Sequence, residues 1–258
     1  MKAPIVIIGI GEIAGVLAKA FLRNGYAVYP VTRAMSVADA AKETPDPSMV
    51  VVGVGEKAFS SVLETIPIEW RARLVFIQNE LLPHDWKVHG IESPTVLSVW
   101  FEKKRGTDYK PLLPTPIYGP KAELVAKSLT GIDIPCTVLD SEQDLLFQLV
   151  LKNVFILTTN IAGLALEEGA TTVTLWGDHQ SLAEEIANDV IDLQEALTEQ
   201  DLPRGKLLEG LVEGLEADPH HKCKGRSAPD RLARAIEIAD EKGVDIKAIR
   251  TLAEKLKD

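Results

Sequence analysis

The sequence predicts an α/β fold in which an alternating strand–helix region is followed by an all-helical region. Runs of Val and Ile without polar alternation recur up to about residue 140, as expected for strands buried on both faces of a parallel sheet. Helical patterns lie between these runs, and such alternation is typical of α/β folds. After Ser141 the periodicity is helical throughout. We therefore expect one domain over residues 1–140 and an all-helical domain over residues 141–258.

The N-terminal elements are short. Candidate strands cover residues 5–9, 26–31, 49–54, 74–78, 96–103, 110–117 and 136–139. The clearest candidate helix covers residues 14–24 and is followed by Gly25, a residue common after helix ends, and a shorter one covers 37–42.

The C-terminal region contains helical patterns that are punctuated by Pro203, Pro219 and Pro229. They cover residues 145–166, 180–199, 204–215, 229–242 and 247–257. Within the first, residues 147–166 are apolar and long enough to cross a bilayer. This stretch carries Lys152, Asn153 and Asn160, so we expect a helix that is buried in protein.

Composition narrows the functional classes. The formal charge of −10 argues against a general nucleic-acid binder, which needs an excess of Lys and Arg to neutralise phosphates. The chain has 2 cysteines, far apart and in no CxxC pattern, so we expect no disulfide and a cytoplasmic location. Neither a membrane nor a bound metal is expected, because the His220-His221-Lys222-Cys223 cluster lacks a second ligand pair at metal spacing.

A glycine motif follows the first candidate strand and opens the first candidate helix. Its residues are Gly9, Ile10, Gly11, Glu12, Ile13 and Ala14, the G-x-G-x-x-A form of the dinucleotide fingerprint. The first glycine permits a tight turn, the second lets the backbone approach a pyrophosphate, and the small third residue lets helix and strand pack closely. The motif predicts a Rossmann dinucleotide-binding domain, and a purely structural turn is the alternative.

The end of the second candidate strand indicates which dinucleotide is bound. An NAD site usually has an acidic residue here that accepts hydrogen bonds from the ribose hydroxyls, and this chain has Thr32 and Arg33 instead. A guanidinium can pair with the 2′-phosphate of NADP. We therefore expect NADP as the cofactor, and a solvated loop arginine is the alternative.

Other polar residues follow later strands at the edge where such folds bind their cofactor. Lys57 comes after the third strand, and Gln78 and Asn79 end the fourth. We interpret all three as candidate cofactor or substrate contacts. An exposed lysine in a first helical turn remains an alternative for Lys57.

Lys152 lies in the middle of the apolar 147–166 stretch. A buried amine without partners costs free energy, so it must pair, reach solvent or face a polar cavity. Thr159 and Asn160 add polar groups to the same helix. Partial desolvation would lower the pKa of the amine towards values useful for a general acid. A lysine that extends to solvent at the helix edge is the alternative.

With these residues identified, the chain resembles the ketopantoate reductase family over most of its length. That family combines an N-terminal Rossmann domain with an all-helical domain related to that of 6-phosphogluconate dehydrogenase. The matching positions are the glycine loop, Arg33, the lysine–small–aromatic element at 57–59, Gln78-Asn79, Lys152, Asn160 and Gly225-Arg226.

The chain also departs from the family pattern. Glu80 replaces a glycine after Gln-Asn, and Ile156 stands where the family has its first asparagine after the catalytic lysine. The glutamate that follows Gly-Arg in the family is missing, and Asp230 is the nearest carboxylate that could replace it.

The resemblance implies an NADPH-dependent reductase of a small 2-oxo acid or related carbonyl compound, as in pantothenate biosynthesis. Lys152 would be the general acid, Asn160 and Asn79 would orient the substrate, and Arg226 or nearby amides would hold its carboxylate. The alternative is an NADP-binding sensor or partner-binding protein without this activity. The expected partner is a small-molecule substrate, and a homodimer is left open.

Overall fold

The computed structural model describes residues 2–256 and confirms the α/β class with a helical C-terminal part. The chain forms two compact units, the first extending to Leu149 and the second beginning at Val150. The end of the last predicted helix, at Lys257, lies outside the described residues.

The first unit is built on a seven-stranded sheet of order β2-β1-β3-β4-β5-β8-β9. Its strands are β1 (Ile5–Ile8), β2 (Val28–Val31), β3 (Met49–Val52), β4 (Leu74–Gln78), β5 (Thr95–Ser98), β8 (Thr115–Tyr118) and β9 (Cys136–Val138). Strands β1 to β5 are mutually parallel, whereas β8 runs antiparallel to β5. The carboxyl ends of β1, β3 and β4 therefore meet at one edge.

Six helices of this unit connect or flank the strands. They are α1 (Glu12–Arg23), α2 (Val37–Glu43), α3 (Glu56–Thr65), α4 (Ile68–Arg71), α5 (His84–Lys87) and α6 (Ala122–Thr130). Helix α1 buries Val16, Leu17 and Phe21 against the sheet residues of one core cluster, as its apolar face predicts.

The predicted strands 96–103 and 110–117 are wrong in extent. Each is divided in two, and the inner pieces β6 (Phe101–Glu102) and β7 (Lys110–Pro111) form a separate two-stranded sheet. The chain leaves the main sheet at Trp100, whose backbone N–H donates to the Thr115 hydroxyl, 3.2 Å away, instead of to a strand carbonyl. The result is a short hairpin, and its Lys103 pairs with Glu12 of the glycine motif.

Six helices and one isolated antiparallel bridge, between Thr171 and Lys222, follow in the remaining described residues. The helices are α7 (Glu142–Gly163), α8 (Thr172–Asp178), α9 (Gln180–Thr198), α10 (Arg204–Ala217), α11 (Ala228–Lys242) and α12 (Lys247–Lys255). Helix α7 is long and apolar enough to cross a membrane, but 83% of its most apolar window is buried inside the protein. That burial is typical of a core helix, as the polar residues within it predict.

Candidate functional site

A cavity of about 230 Å³ opens at the carboxyl ends of β1, β3 and β4. The glycine loop, the turn after β3 and the end of β4 supply its walls. The lining residues include Gly11, Glu12, Ile13, Ala14, Gly53, Glu56, Phe59, Gln78 and Asn79. Most of the residues predicted to contact a dinucleotide are therefore gathered around one cavity of the first unit.

The glycine loop is tightly packed on one side and open on the other. Gly9 has a φ of +83°, and a Cβ there would lie 2.7 Å from Val54. A Cβ on Gly11, the residue before α1, would meet nothing within 4 Å. The loop thus leaves room for a ligand at the helix N-terminus, where free N–H groups and the helix dipole favour a phosphate. These residues fit the pyrophosphate of a dinucleotide.

Ala14 packs against Gly53, which follows β3. A Cβ on Gly53 would lie 2.7 Å from the Ala14 Cβ and 2.9 Å from the Gly9 carbonyl oxygen. The alanine at the third position of the fingerprint is therefore accommodated by a glycine on the neighbouring strand end. Sequence reasoning missed Gly53, because its importance arises from a contact between distant segments.

Glu12, which opens α1, places a carboxylate beside the phosphate position. Lys103, on the segment that follows β6, lies 3.1 Å from this carboxylate, and its side chain is only 20% exposed. The pair lines a second cavity of about 360 Å³ on the outer side of the glycine loop. The β6–β7 hairpin thus supplies a cation that offsets the negative charge of Glu12 near the phosphate position.

Thr32 and Arg33 follow β2 and are exposed at the same edge of the sheet as the glycine loop. The loop and the strand end are joined by a hydrogen bond from the Gly9 N–H to the Val31 carbonyl, at 2.9 Å. Lys57 is exposed in the first turn of α3, and its neighbours Glu56 and Phe59 line the cavity.

The end of β4 brings two amides to the cavity. Gln78 is 2% exposed and Asn79 is half-buried, and both line the cavity wall. Glu80, which replaces the family glycine, is buried as well. The environment of this turn is therefore polar, as expected where a ribose or a substrate would be held.

In the second unit, Lys152 is buried on α7 with only 6% of its surface exposed. Burial, together with the nearby positive charge of Arg231, lowers the pKa of the amine from 10.5 to about 7. The ammonium nitrogen lies 5.4 Å from the centre of the Phe155 ring, a distance at which a cation is attracted to the ring face. Such an amine can exchange a proton at neutral pH.

Asn160, two turns further along α7, is held at both ends of its amide. Its Nδ2 donates to the Ile156 carbonyl oxygen at 3.0 Å, and its Oδ1 accepts from Arg231 Nη1 at 3.1 Å. A Cβ on Gly225 would lie 2.9 Å from the same Oδ1, so the Gly225-Arg226 segment passes directly beside this amide. Asn160 thereby fixes the guanidinium of Arg231 against α7.

The residues at the start of α11 differ in exposure. Arg226, just before the helix, and Asp230, in its first turn, are exposed, whereas Arg231 is half-buried. The residue whose charge and hydrogen bond reach Lys152 and Asn160 is therefore Arg231. Sequence reasoning overlooked it, although an arginine beside the position of a missing family glutamate was a visible signal.

The segment before this turn packs on α7. Cys223 is fully buried, and a Cβ on Gly163 would lie 2.8 Å from its Cβ. Burial raises the pKa of the Cys223 thiol to about 11. The ring centroids of His221 and Phe155 are 6.2 Å apart. These residues fix the course of the chain towards Gly225.

Comparison with known proteins identifies the fold. No protein-family model matches the sequence, and no curated protein is similar to it. Solved structures do match. A 2-dehydropantoate 2-reductase from Methylococcus capsulatus is 12% identical, with a TM-score of 0.68 over 98% of this chain and 96% of that one. The chain has the fold of the ketopantoate reductases. The resemblance inferred from the sequence is thus confirmed at the level of the fold.

Two further structures extend this comparison. A D-mandelate dehydrogenase in complex with NADH is 12% identical, with a TM-score of 0.65 over 100% of this chain and 98% of that one. A ketopantoate reductase from Staphylococcus aureus, described as dimeric, is 11% identical, with a TM-score of 0.62 over 98% of this chain and 99% of that one. The chain is therefore similar in fold to oxidoreductases that are named for different substrates.

Proposed function

We propose that the protein is an NADPH-dependent reductase of a small 2-oxo acid or related carbonyl compound, with Lys152 as general acid. The observation that carries this proposal is the burial of the Lys152 amine with a pKa near 7 in a chain that has the ketopantoate reductase fold. An amine with that pKa can be protonated at neutral pH and still release its proton readily.

The proposed cofactor contacts lie in the first unit. They are Gly9, Gly11, Glu12, Ile13, Ala14, Thr32, Arg33, Lys57, Gln78 and Asn79. Bound NADPH would supply a hydride to the carbonyl carbon of the substrate. The open face of Gly11 leaves room for the pyrophosphate, and Arg33 in place of an acidic residue after β2 supports the 2′-phosphate of NADPH.

The residues proposed for the substrate site are Lys152, Asn160, Asn79 and Asp230. Lys152 would donate its proton to the substrate oxygen as negative charge develops there, which stabilises the transition state. Asn79 would orient the substrate, while Asn160 would act mainly by fixing its neighbours, because both ends of its amide are hydrogen-bonded. Asp230, as the replacement for the family glutamate, has weaker support because it is exposed.

The test is NADPH oxidation with a panel of 2-oxo acids, followed by absorbance, for wild type, Lys152→Met and the exposed control Lys206→Met. We expect Lys152→Met to reduce kcat by about 10²–10⁴, the usual contribution of a general acid, with NADPH affinity unchanged. Lys206→Met should behave like wild type. The proposal of a general acid is wrong if Lys152→Met keeps full turnover. Asp230→Asn, assayed in parallel, shows whether that carboxylate contributes at all.

A second candidate function is an NADP-binding sensor or partner-binding protein of the same fold. It is favoured by Arg231 beside the position where the family has a glutamate, and by Ile156 where the family has an asparagine. The same assay separates the two functions. Tight NADPH binding without reduction of any carbonyl compound in the panel would favour the sensor.

Assembly and location belong to the same proposal. We expect a cytoplasmic protein, since its cysteines are free, and a homodimer, by analogy with the dimeric S. aureus reductase. Light scattering on the purified protein measures the mass of the assembly and decides between monomer and dimer.

A further inference from the structure

A second cavity of the first unit, of about 380 Å³, opens where β5 begins and where β8 and β9 end. Strand β8 runs antiparallel to β5, and β9 is parallel to β8, so the carboxyl ends of both lie beside the start of β5. In α/β sheets ligands bind outside the carboxyl ends of strands, and the reversal of β8 and β9 gives this sheet a second such place. The cavity shares no lining residue with the one at the glycine loop. Its volume is in the usual range for a small-molecule site.

Flat, apolar rings form much of the wall of this cavity, which we call the Trp86 cavity. The ring-bearing residues that line it are Pro83, Trp86, Pro94, Tyr118 and Pro120. A Cβ on Gly119, which has a φ of +118°, would lie 2.5 Å from the Pro94 carbonyl oxygen, so the turn after β8 packs directly on the start of β5. The ring of Trp86 packs against that of Phe76, with 5.7 Å between centroids. These contacts fix surfaces on which an aromatic ring can pack.

Trp86 also brings a hydrogen-bond donor to the cavity. Its indole N–H has no hydrogen-bond partner among the described residues, although the residue is only 2% exposed. The nitrogen is not sealed inside the protein, as the unpartnered Thr158 hydroxyl is, so it reaches the cavity that the residue lines. Trp70 shows the usual arrangement, in which the indole N–H donates to a carbonyl, here that of Thr44 at 3.1 Å. A ligand with an acceptor would complete the same arrangement at Trp86.

The charged residues of the lining disfavour an anionic ligand. They are Lys87, Glu92 and Glu142, one positive and two negative side chains. Lys87 Nζ lies 3.9 Å from a carboxylate oxygen of Glu142, so the positive charge is already opposed. A carboxylate or phosphate entering the cavity would therefore be repelled more than attracted. An uncharged acceptor meets no such cost.

We propose that the Trp86 cavity binds a small, uncharged aromatic molecule whose acceptor atom takes the indole N–H of Trp86. The aromatic ring of the ligand packs against the aromatic and proline rings of the wall. This site is separate from the one at the glycine loop, and it does not depend on the function proposed above. If the cavity held only water, an acceptor on the probe would bring no advantage, because water already satisfies the indole.

The experiment is an NMR titration of the full chain, with 15N in its 4 tryptophans, against benzonitrile and phenylacetylene. The two probes are uncharged and have the same shape, but only benzonitrile has an acceptor nitrogen. We expect benzonitrile to shift the Trp86 indole signal saturably. It should bind about threefold to tenfold more tightly than phenylacetylene, the usual effect of one hydrogen bond. The signal of Trp70, whose N–H is already bonded, should stay in place.

Trp86→Phe keeps an aromatic ring and removes the donor, so this variant should bind both probes equally in ligand-observed NMR. Trp176→Phe, on α8 and away from the cavity, is the control and should keep the preference for benzonitrile. The proposal is overturned if the Trp86 signal does not shift saturably, if wild type binds both probes alike, or if Trp86→Phe keeps the preference. A Trp86 signal that shifts with protein concentration but not with probe would show that a second copy of the chain covers the cavity instead. If Trp86→Phe does not fold, the comparison of the two probes on wild type decides, with the Trp86 signal assigned through its contact with Phe76.

Discussion

The amine of Lys152 influences stability as well as chemistry, because it is buried close to another cation. Its pKa is about 7 in the folded protein and 10.5 in the unfolded chain. Between pH 7 and pH 10.5 the unfolded chain binds more protons than the folded protein, so the free energy of unfolding rises with pH. The lysine therefore destabilises the fold at low pH, and this cost disappears as the pH rises above 10.5. The low pKa that suits Lys152 for proton transfer therefore lowers the free energy of unfolding of the protein.

We therefore predict that Lys152→Met stabilises the protein near neutral pH. The free energy of unfolding of wild type, relative to the variant, should rise by on the order of 3 kcal/mol between about pH 7 and pH 10. Denaturant unfolding at several pH values measures this difference. If the free energy of unfolding changed with pH in the same way for both proteins, Lys152 would have an ordinary pKa. The other titrating groups are the same in the two proteins, so their contributions cancel in the difference.

Arg231 makes a second residue-scale prediction, on the pH dependence of turnover. A general acid must be protonated, so the proposed activity falls as the pH rises through the pKa of Lys152. Removing the positive charge of Arg231 removes one of the causes that lower this pKa. In Arg231→Gln the fall in kcat should therefore occur at higher pH than in wild type. A fall at the same or lower pH would show that the charge does not act on Lys152.

At the scale of elements, the β1–α1 turn depends on the end of β3. A Cβ on Gly53 would lie within 3 Å of both Ala14 and Gly9. We predict that Gly53→Ala displaces the glycine loop and weakens NADPH binding by about tenfold or more, since such overpacking typically costs 1–3 kcal/mol. Gly205→Ala, at an open position on α10 away from the cavity, is the control. Fluorescence titration measures the NADPH affinity of each variant. Equal affinities for the two variants would contradict the prediction.

The β6–β7 hairpin makes a second prediction at this scale. Lys103 pairs with Glu12, so Lys103→Ala leaves an uncompensated carboxylate beside the phosphate position. NADPH affinity should fall a few-fold, as is usual for a partly exposed ion pair. Adding Glu12→Gln should restore it, because the repulsion is then gone. If the NADPH affinity fell further in the double variant Lys103→Ala/Glu12→Gln, Lys103 would contact the cofactor directly. A double-mutant cycle with the two single variants distinguishes these outcomes.

Local signals in the sequence predicted some elements well and missed others. The fingerprint at Gly9 and Gly11 is a short-range pattern, so the first strand, turn and helix were all predicted. The contact between Ala14 and Gly53 joins segments far apart in the chain, and no local pattern encodes it. Similarly, the division of the predicted strand 96–103 depends on the hydrogen bond from Trp100 to Thr115. Two side chains one residue apart at a helix start, Asp230 and Arg231, differ by about 100° in direction, which only the fold resolves.

At the scale of the whole molecule, an anionic cofactor must approach a protein with a formal charge of −10. Local cations then decide which dinucleotide is bound. We predict that NADPH raises the melting temperature more than NADH at equal concentration, and that Arg33→Ala removes the difference. At about 100 times its Kd, a ligand adds roughly 2.7 kcal/mol to the free energy of unfolding. Equal shifts for both dinucleotides in wild type would contradict the role of Arg33.

The two thiols offer a practical route to following the protein in solution. Burial raises the pKa of Cys136 to about 12 and that of Cys223 to about 11, so almost no thiolate is present at neutral pH. A cysteine introduced at an exposed position would react with a maleimide far faster than either native thiol. Spin or fluorescent labels can therefore be attached to the otherwise unaltered chain, one in each compact unit, and the distance between them can be recorded as NADPH is added.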